Sequence, residues 1–485
     1  MANVIWKPQK RQAEFQSRPE YECLYGGAAG GGKSDALLAE ALRQVHIPHY
    51  RAIIFRKTYP EIADLVDRSY DIYKAAYPKA EYNDSKHCWK FPSGAKIYFG
   101  SMQHKKDRKK FAGRHYDFVA FDELTHFEWD EYSFMFSRNR PSKSPKSNEK
   151  TRVYIRATTN PGSIGHGWVK ERFITVAPPM TTVVEEFDIT MPSGEVVTKT
   201  RDRVFVPATI FDNQELLNND PNYIASLAML PEADRDALLY GSWDSFDGQV
   251  FREWKNNPDH YEDQMWTHVI EPFTIPSHWK IYRCFDWGYT RPYACYWIAV
   301  SRETQQKYVI RELYGCDGQP NRGTQEHHIE VAKQIREIED TDPNLKGRKI
   351  SGVADPAIFE ESHGTSIAAD MAKYPNYISF TKGDHSRIAG KMQMHYHLAF
   401  NEEGYPMMQV FNTCRNFIRT LPNLVYDDKN VEDINSDQED HSYDAIRYGL
   451  MEMPITPRKH HKAEEIILED DPLNMHQNVV RLRRF

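Results

Sequence analysis

Through residues 1–205 short apolar runs alternate with helix-like stretches. The runs Cys23-Leu24-Tyr25, Arg51–Arg56, Ala95–Gly100, Phe118–Phe121 and Arg152–Thr158 predict strands, and Asp35–Leu42 predicts a helix directly after the first of them. Strands interleaved with helices make an α/β domain around a largely parallel sheet, with ligands at the carboxyl ends of its strands. Residues 206–275 read differently. Asn218-Asn219-Asp220-Pro221 is a helix start, Tyr223, Leu227 and Leu230 follow at helical spacing, and prolines and glycines punctuate the rest. This predicts a small helical linker subdomain and an irregular connector. A second α/β unit occupies 276–455. Ile281–Asp286 is a strand ending in an acid, Tyr293–Val300 and Lys307–Leu313 are its antiparallel neighbours, and Ile350–Asp355 is a further strand. Glu326–Glu339 and His441–Met451 read as helices. Residues 456–485 form a charged tail with little packing capacity, expected to be mobile.

The first strand–helix junction carries chemistry. Gly27 to Ser34 fits G-x-x-x-x-G-K-S, with glycines at 27, 30 and 32. Such a loop curls its backbone N–H groups around phosphate oxygens, and the helix start adds positive potential. Lys33 would reach the β- and γ-phosphates of ATP and Ser34 would ligate Mg²⁺. About 90 residues on, the apolar strand Phe118–Phe121 ends in Asp122-Glu123. Asp122 suits Mg²⁺, and Glu123 suits polarisation of the attacking water. Thr158, Thr159 and Asn160 end a neighbouring strand and suit sensing of the γ-phosphate. Arg56 and Arg114 compete as the arginine that meets transferred phosphate, and Gln12, with Gln9 as its alternative, stands where an adenine-reading amide is expected.

The second unit supplies carboxylates. Asp286 ends its first strand, Glu312 lies on the third, Asp355 ends a later one, and Asp444 sits one turn after His441 on the last helix. An acid on the first strand, acids on later strands and one on a final helix is the order of an RNase H-like nuclease. Such enzymes hold two divalent ions, Mg²⁺ or Mn²⁺, one to activate water and one to stabilise the leaving oxygen. Glu312 has the alternative of pairing with an arginine, and His441 that of capping its helix. His327-His328 and His395-Tyr396-His397 lack cysteine partners at zinc spacing and read as ordinary histidines.

Composition narrows the class. The chain has 485 residues, 40% of them hydrophobic and 13% aromatic, enough for two or three cored domains. No apolar run approaches the ~18–20 residues that cross a bilayer, and the polar, basic start has no secretory apolar stretch. Six scattered cysteines without C-x-x-C suit reduced thiols. The net charge of −7 speaks against a nucleic-acid partner until its distribution is read. Lys105, Lys106, Arg108, Lys109, Lys110 and Arg114 form one basic cluster, and Arg138, Arg140, Lys143, Lys146 and Lys150 a second. Arg481, Arg483 and Arg484 form a third. Basic loops on an acidic protein can grip a phosphate backbone.

Gly27–Ser34, Phe118–Glu123, Thr158-Thr159-Asn160, Phe55–Pro60, the Asp212-Asn213 and Asp220–Tyr223 turns, Gly241–Gly248, and Asp286, Asp355, His441 and Asp444 occur in a particular order. That order resembles the large subunit of tailed-bacteriophage terminase, the motor-nuclease that packages viral DNA. The resemblance implies a RecA/ASCE-type ATPase domain, a linker subdomain and an RNase H-like nuclease. It implies double-stranded DNA, a portal protein and a small terminase subunit as partners. It further implies a homo-oligomeric ring on the procapsid, with a monomer in isolation, in the host bacterial cytoplasm and without membrane association. Many members carry an Arg or Lys within the phosphate loop. Ala28-Ala29-Gly30-Gly31 has none, which moves weight to Arg56 or to a neighbouring subunit's residue. A cellular helicase-nuclease of DNA repair and a non-catalytic adaptor are the alternative readings.

Overall fold

The computed structural model describes residues 5–455, apart from 143–148, 231, 245, 247, 362–363, 428–429 and 431. Lys143, Lys146 and the tail 456–485 with its three arginines lie outside the described residues. Two sheets organise the chain. The first has nine strands: β1 (Glu22–Gly27), β2 (Arg51–Arg56), β3 (Glu81–Asn83), β4 (Cys88–Lys90), β5 (Lys96–Ser101), β6 (Phe118–Phe121), β7 (Tyr154–Thr159), β8 (Val183–Thr190) and β9 (Val196–Ala208). Their order is β3-β4-β5-β2-β6-β7-β1-β9-β8. The six strands from β5 to β9 in that order run parallel, and antiparallel strands close both edges. Both faces of the parallel part are covered, so β1, β6 and β7 are buried along their whole length, which is why they read as continuous apolar runs.

Two boundaries differ from expectation. β9 runs to Ala208, three residues beyond the expected domain end at 205, because it must pair with β1 down to Gly27 and so reach the phosphate loop. In the stretch expected to be an irregular connector, Val269–Ile270 forms β10, parallel to β16 (Met408–Phe411). The second sheet therefore begins before 276, and Val250, Phe251, Ile270 and Ile275 lie in its core.

That sheet completes with β11 (Lys280–Asp286), β12 (Ala294–Val300), β13 (Lys307–Tyr314), β14 (Ser351–Ala354) and β15 (Thr381–Lys382), in the order β10-β16-β13-β12-β11-β14-β15. β11, β12 and β13 are antiparallel neighbours, and β14 lies parallel on the other side of β11. The helix His441–Glu452 packs across β11. Gly449 permits the close approach, since a Cβ there would come within 3.1 Å of Cys284.

Between the sheets, the short helices Gln214–Asn219, Tyr223–Ala228 and Glu232–Leu239 gather around Ile210, Leu227 and Leu239. This cluster sits on the phosphate loop. The Asn213 amide donates to the Gly30 carbonyl at 2.6 Å, and Ala29 N–H donates to the Leu238 carbonyl at 2.7 Å. Among the described residues, no helix is long and apolar enough to cross a membrane.

Candidate functional site

At the carboxyl end of the first sheet, Gly27, Gly30 and Gly32 all have positive φ, which shapes the loop between β1 and the helix Lys33–Ala41. Lys33 is buried beneath this loop and donates to the Ala28 carbonyl and, at 2.7 Å, to Asn160 Oδ1. Burial lowers its pKa, with Glu123 and Asp122 opposing. Ser34 Oγ lies 3.0 Å from Asp122 Oδ2, so the hydroxyl and the carboxylate expected to share Mg²⁺ already touch.

Asp122 is fully buried and receives Arg56 Nε at 2.8 Å, Arg56 Nη2 at 2.6 Å and the Thr158 hydroxyl. Consecutive strand residues point to opposite faces. Glu123 escapes that rule by turning left-handed, φ 57° and ψ 59°, which brings its carboxylate to the phosphate-loop side. There it accepts from Asn160 N–H at 3.3 Å and, at 3.4 Å, from the Asn160 amide. Burial and the neighbouring Asp122 raise its pKa, the condition of a base. Gly30, Gly31, Lys33, Ser34, Glu123 and Asn160 line one open cleft.

Three of the expected residues make contacts that the sequence does not reveal. Thr159 does not face the nucleotide cleft as an ATP contact: its hydroxyl lies 2.8 Å from Thr125 Oγ1 and accepts from Thr125 N–H, while Thr158, pointing the other way, holds Asp122. Gln12 is a loop brace. Its amide donates to the Gly32 carbonyl at 2.8 Å and accepts from Gln9 N–H at 2.8 Å. Gln9 donates to Asn213 and accepts from Gln214 N–H, in an adjoining pocket with Trp6, Arg68 and Leu216. Arg114 precedes the amino end of β6, a strand length of roughly 13 Å from Asp122 at ~3.3 Å per residue. Of the two arginines, only Arg56 reaches this chain's phosphate site. The first basic cluster is also partly neutralised. Lys105 pairs with Glu128 and Asp130, Arg108 with Asp130, and Lys110 with Asp107.

In the second sheet, β11 and β14 run parallel in register, Phe285 beside Ala354, so Asp286 and Asp355 leave adjacent strand ends. Helix His441–Glu452 brings Asp444 and His441 over them. His441 Nδ1 lies 3.1 Å from Asp286 Oδ2 and Nε2 lies 3.0 Å from Asn321 Oδ1. Burial lowers the His441 pKa, but the Asp286 bond and the charges of Asp286 and Asp440 outweigh it, and the net direction is up. Burial, with Asp444 and Asp355 nearby, pushes Asp286 up to about 6 against the pull of His441. Asp440, which sequence reasoning missed, is buried at the start of the helix. Burial and then Asp444 and Asp286 push its pKa up to about 8, against the pull of His441. Its neighbours in sequence were informative, but nothing in the sequence gives its depth.

Glu312 is not part of this cluster. On β13, it accepts from Asn416 N–H at 3.0 Å, the Asn416 amide at 2.8 Å, Phe417 N–H at 2.9 Å and the Tyr296 hydroxyl at 2.9 Å, which caps the helix Arg415–Thr420. Among the described residues, no group of three or more His, Cys, Asp or Glu side chains is poised to hold a metal ion. Asp444 is turned to Arg447 Nε at 2.9 Å and Arg387 Nη1 at 3.7 Å, and Asp355 to the Tyr448 hydroxyl at 3.3 Å. The donors are carboxylate oxygens, the type that hard divalent ions take.

A buried phosphate-loop lysine, a serine touching a strand-end aspartate and a following glutamate define a P-loop ATPase, here joined to a second sheet with clustered acids. Residues 24–256 match the family described as "Terminase large subunit, T4likevirus-type, N-terminal". A comparison with curated proteins returned no match. Among solved structures, the chain is similar to the large terminase of a thermophilic bacteriophage, with 13% identity over 92% of this chain and 99% of that one and a TM-score of 0.38. Other crystals of that phage protein contain ADP or ATP-gamma-S. It is also similar to the large terminase of bacteriophage HK97, with 11% identity, 92% and 95% coverage and a TM-score of 0.45. The nuclease domain of the P22 large terminase matches 42% of this chain over 92% of its own, with 18% identity and a TM-score of 0.32.

Proposed function

We propose that this chain is a terminase large subunit, one that hydrolyses ATP at the first sheet to drive double-stranded DNA into a procapsid and cuts concatemeric DNA at the second sheet. The Lys33–Asn160–Glu123 and Ser34–Asp122 contacts carry the first half. Mg²⁺ would be held at Ser34 and Asp122, and it supplies charge neutralisation on the β- and γ-phosphates when bound. The chain's own groups do the rest. The loop amides and Lys33 hold phosphate, Asn160 orients Glu123, and the Glu123 carboxylate takes a proton from the attacking water. Arg56 leaves Asp122 and meets the γ-phosphate. Thr159, bonded to Thr125, passes the rearrangement of Asn160 to the loop after β6. A repair helicase would need a strand-separating surface, and the helical cluster over the phosphate loop instead suits a motor that turns phosphate release into domain movement.

At the second centre, Asp286, Asp355 and Asp444 are the residues that would hold Mg²⁺ or Mn²⁺, once Asp444 turns from Arg447; when bound, the ions would supply activation of water and stabilisation of the leaving oxygen. His441 orients Asp286. The working form is a homo-oligomeric ring on the portal in the host cytoplasm, with the small subunit choosing the DNA. The test is nicking of supercoiled plasmid with Mg²⁺ or Mn²⁺ beside an Asp355→Ala control. Metal-dependent cutting that vanishes in the variant supports the reading. Cutting that survives it overturns the nuclease assignment.

A further inference from the structure

Away from both centres, the two domains meet across a polar interface that borders a cavity of about 80 Å³. On the ATPase side stand Trp129, Trp168 and Glu171, and on the other Gln319, Asn321 and Arg419. Gln319 and Asn321 belong to the loop after β13, which doubles back so that Cys316 bridges Gly323. It lies against the loop after Asp286: Gly323 N–H donates to the Thr290 carbonyl at 3.0 Å, and a Cβ at Gly323 would meet the Arg291 carbonyl at 2.2 Å. Asn321 holds a left-handed backbone, φ 54°, which asparagine tolerates better than most other non-glycine residues.

The side chain of Asn321 is oriented from both ends. Its amide nitrogen donates to the Asp437 carbonyl at 3.2 Å, which leaves Oδ1 to face His441 Nε2 at 3.0 Å. His441 then has an oxygen acceptor on each ring nitrogen, Asp286 on one side and Asn321 on the other, and its ring plane is fixed. The ATPase half grips this arrangement at two places. Trp129 Nε1 donates to Gln319 Oε1 at 2.9 Å, two residues from Asn321. Glu171 pairs at 3.0 Å with Arg419, which also binds Glu439 at 2.6 Å, two residues from His441.

We propose that Asn321 is a positioning residue for the nuclease centre, and that docking of the ATPase domain sets it through Trp129–Gln319 and Glu171–Arg419–Glu439. The inference rests on the nuclease reading of the Asp286 cluster. The loosely filled interface gives the loop room to shift when the domains part, and His441 then loses one of its two supports. Cutting would be strongest when the ATPase domain is docked.

Plasmid nicking, melting temperature and ATP hydrolysis are measured on the full chain for the wild type and for Asn321→Ala, Asn321→Asp, Trp129→Phe and Asp286→Ala. Asn321→Ala is expected to lower the maximal nicking rate about tenfold, the usual scale for a group that orients a functional side chain, with unchanged half-saturating plasmid concentration. Asn321→Asp keeps the acceptor toward His441 but loses the donor to the Asp437 carbonyl, and is expected to restore the rate in part. Trp129→Phe keeps the ring, loses the indole donor, and is expected to slow nicking about threefold without altering ATP hydrolysis. Wild-type rates in Asn321→Ala, or failure of Asn321→Asp to rescue a folded protein, would overturn the positioning role. Wild-type nicking in Trp129→Phe would overturn the coupling to the ATPase domain. Wild-type cutting that Asp286→Ala leaves intact would instead remove the nuclease reading beneath the inference.

Discussion

Arg56→Gln is the most informative single change. Asp122 is fully buried, and its charge is balanced by two bonds from one guanidinium, at 2.8 and 2.6 Å, while Ser34 and Thr158 add only neutral donors. Arg56 thus takes up the carboxylate proposed to hold Mg²⁺. Stripping one partner from a buried pair costs about 3–5 kcal/mol, and the remaining hydroxyls place this case near 3. At ~2–4 °C per kcal/mol for a domain of this size, the first transition in calorimetry should fall by roughly 6–12 °C in EDTA. Millimolar Mg²⁺ should recover part of that in Arg56→Gln and add little to the wild type without nucleotide. Adding Asp122→Asn to Arg56→Gln should restore the transition while ATP hydrolysis stays lost. An unchanged transition in EDTA, or equal stabilisation of both proteins by Mg²⁺, would refute the idea that Arg56 and the metal compete for one carboxylate.

Three further outcomes follow from the same geometry. Glu312→Ala removes the cap of the helix Arg415–Thr420 and should cost ~3 kcal/mol in urea unfolding while nicking stays metal-dependent; lost nicking at unchanged stability would return Glu312 to the metal site. Burial lowers His166 and His397 to about 3 and His268 to about 4, below the usual ~6.5. The unfolded chain binds these protons first, so stability is whole above pH 6.5 and should fall progressively as pH drops from 6.5 toward 4, less so in His166→Gln; a flat urea midpoint over that range contradicts this. Thr159→Val severs the link to Thr125 and should leave nucleotide affinity near the wild type while slowing DNA-stimulated hydrolysis about tenfold, read by equilibrium binding and phosphate release.

What was legible in the sequence is what burial writes into it. β1, β6 and β7 are covered on both faces and stand out as apolar runs, and the phosphate loop has glycines where positive φ is needed. The β8–β9 hairpin went unseen because it is mostly exposed and polar, held by a ladder rather than by apolar periodicity. Two-residue β10 has no periodicity at all. Side-chain direction was the harder loss. Thr158 and Thr159 are identical in sequence, yet alternation sends one to Asp122 and the other to Thr125. Glu312 lies on a strand and Asp355 directly after a strand of one sheet, and only register separates the helix cap from the acid cluster. Asp440 became visible only through its depth.

The central claim is that two separate centres share this chain, and it is tested by measuring ATP hydrolysis and plasmid nicking side by side in the wild type, Lys33→Ala and Asp286→Ala. Lys33→Ala should lose hydrolysis by at least ~100-fold and keep nicking, and Asp286→Ala should do the reverse. Loss of both activities in either variant, with the fold intact, would contradict it.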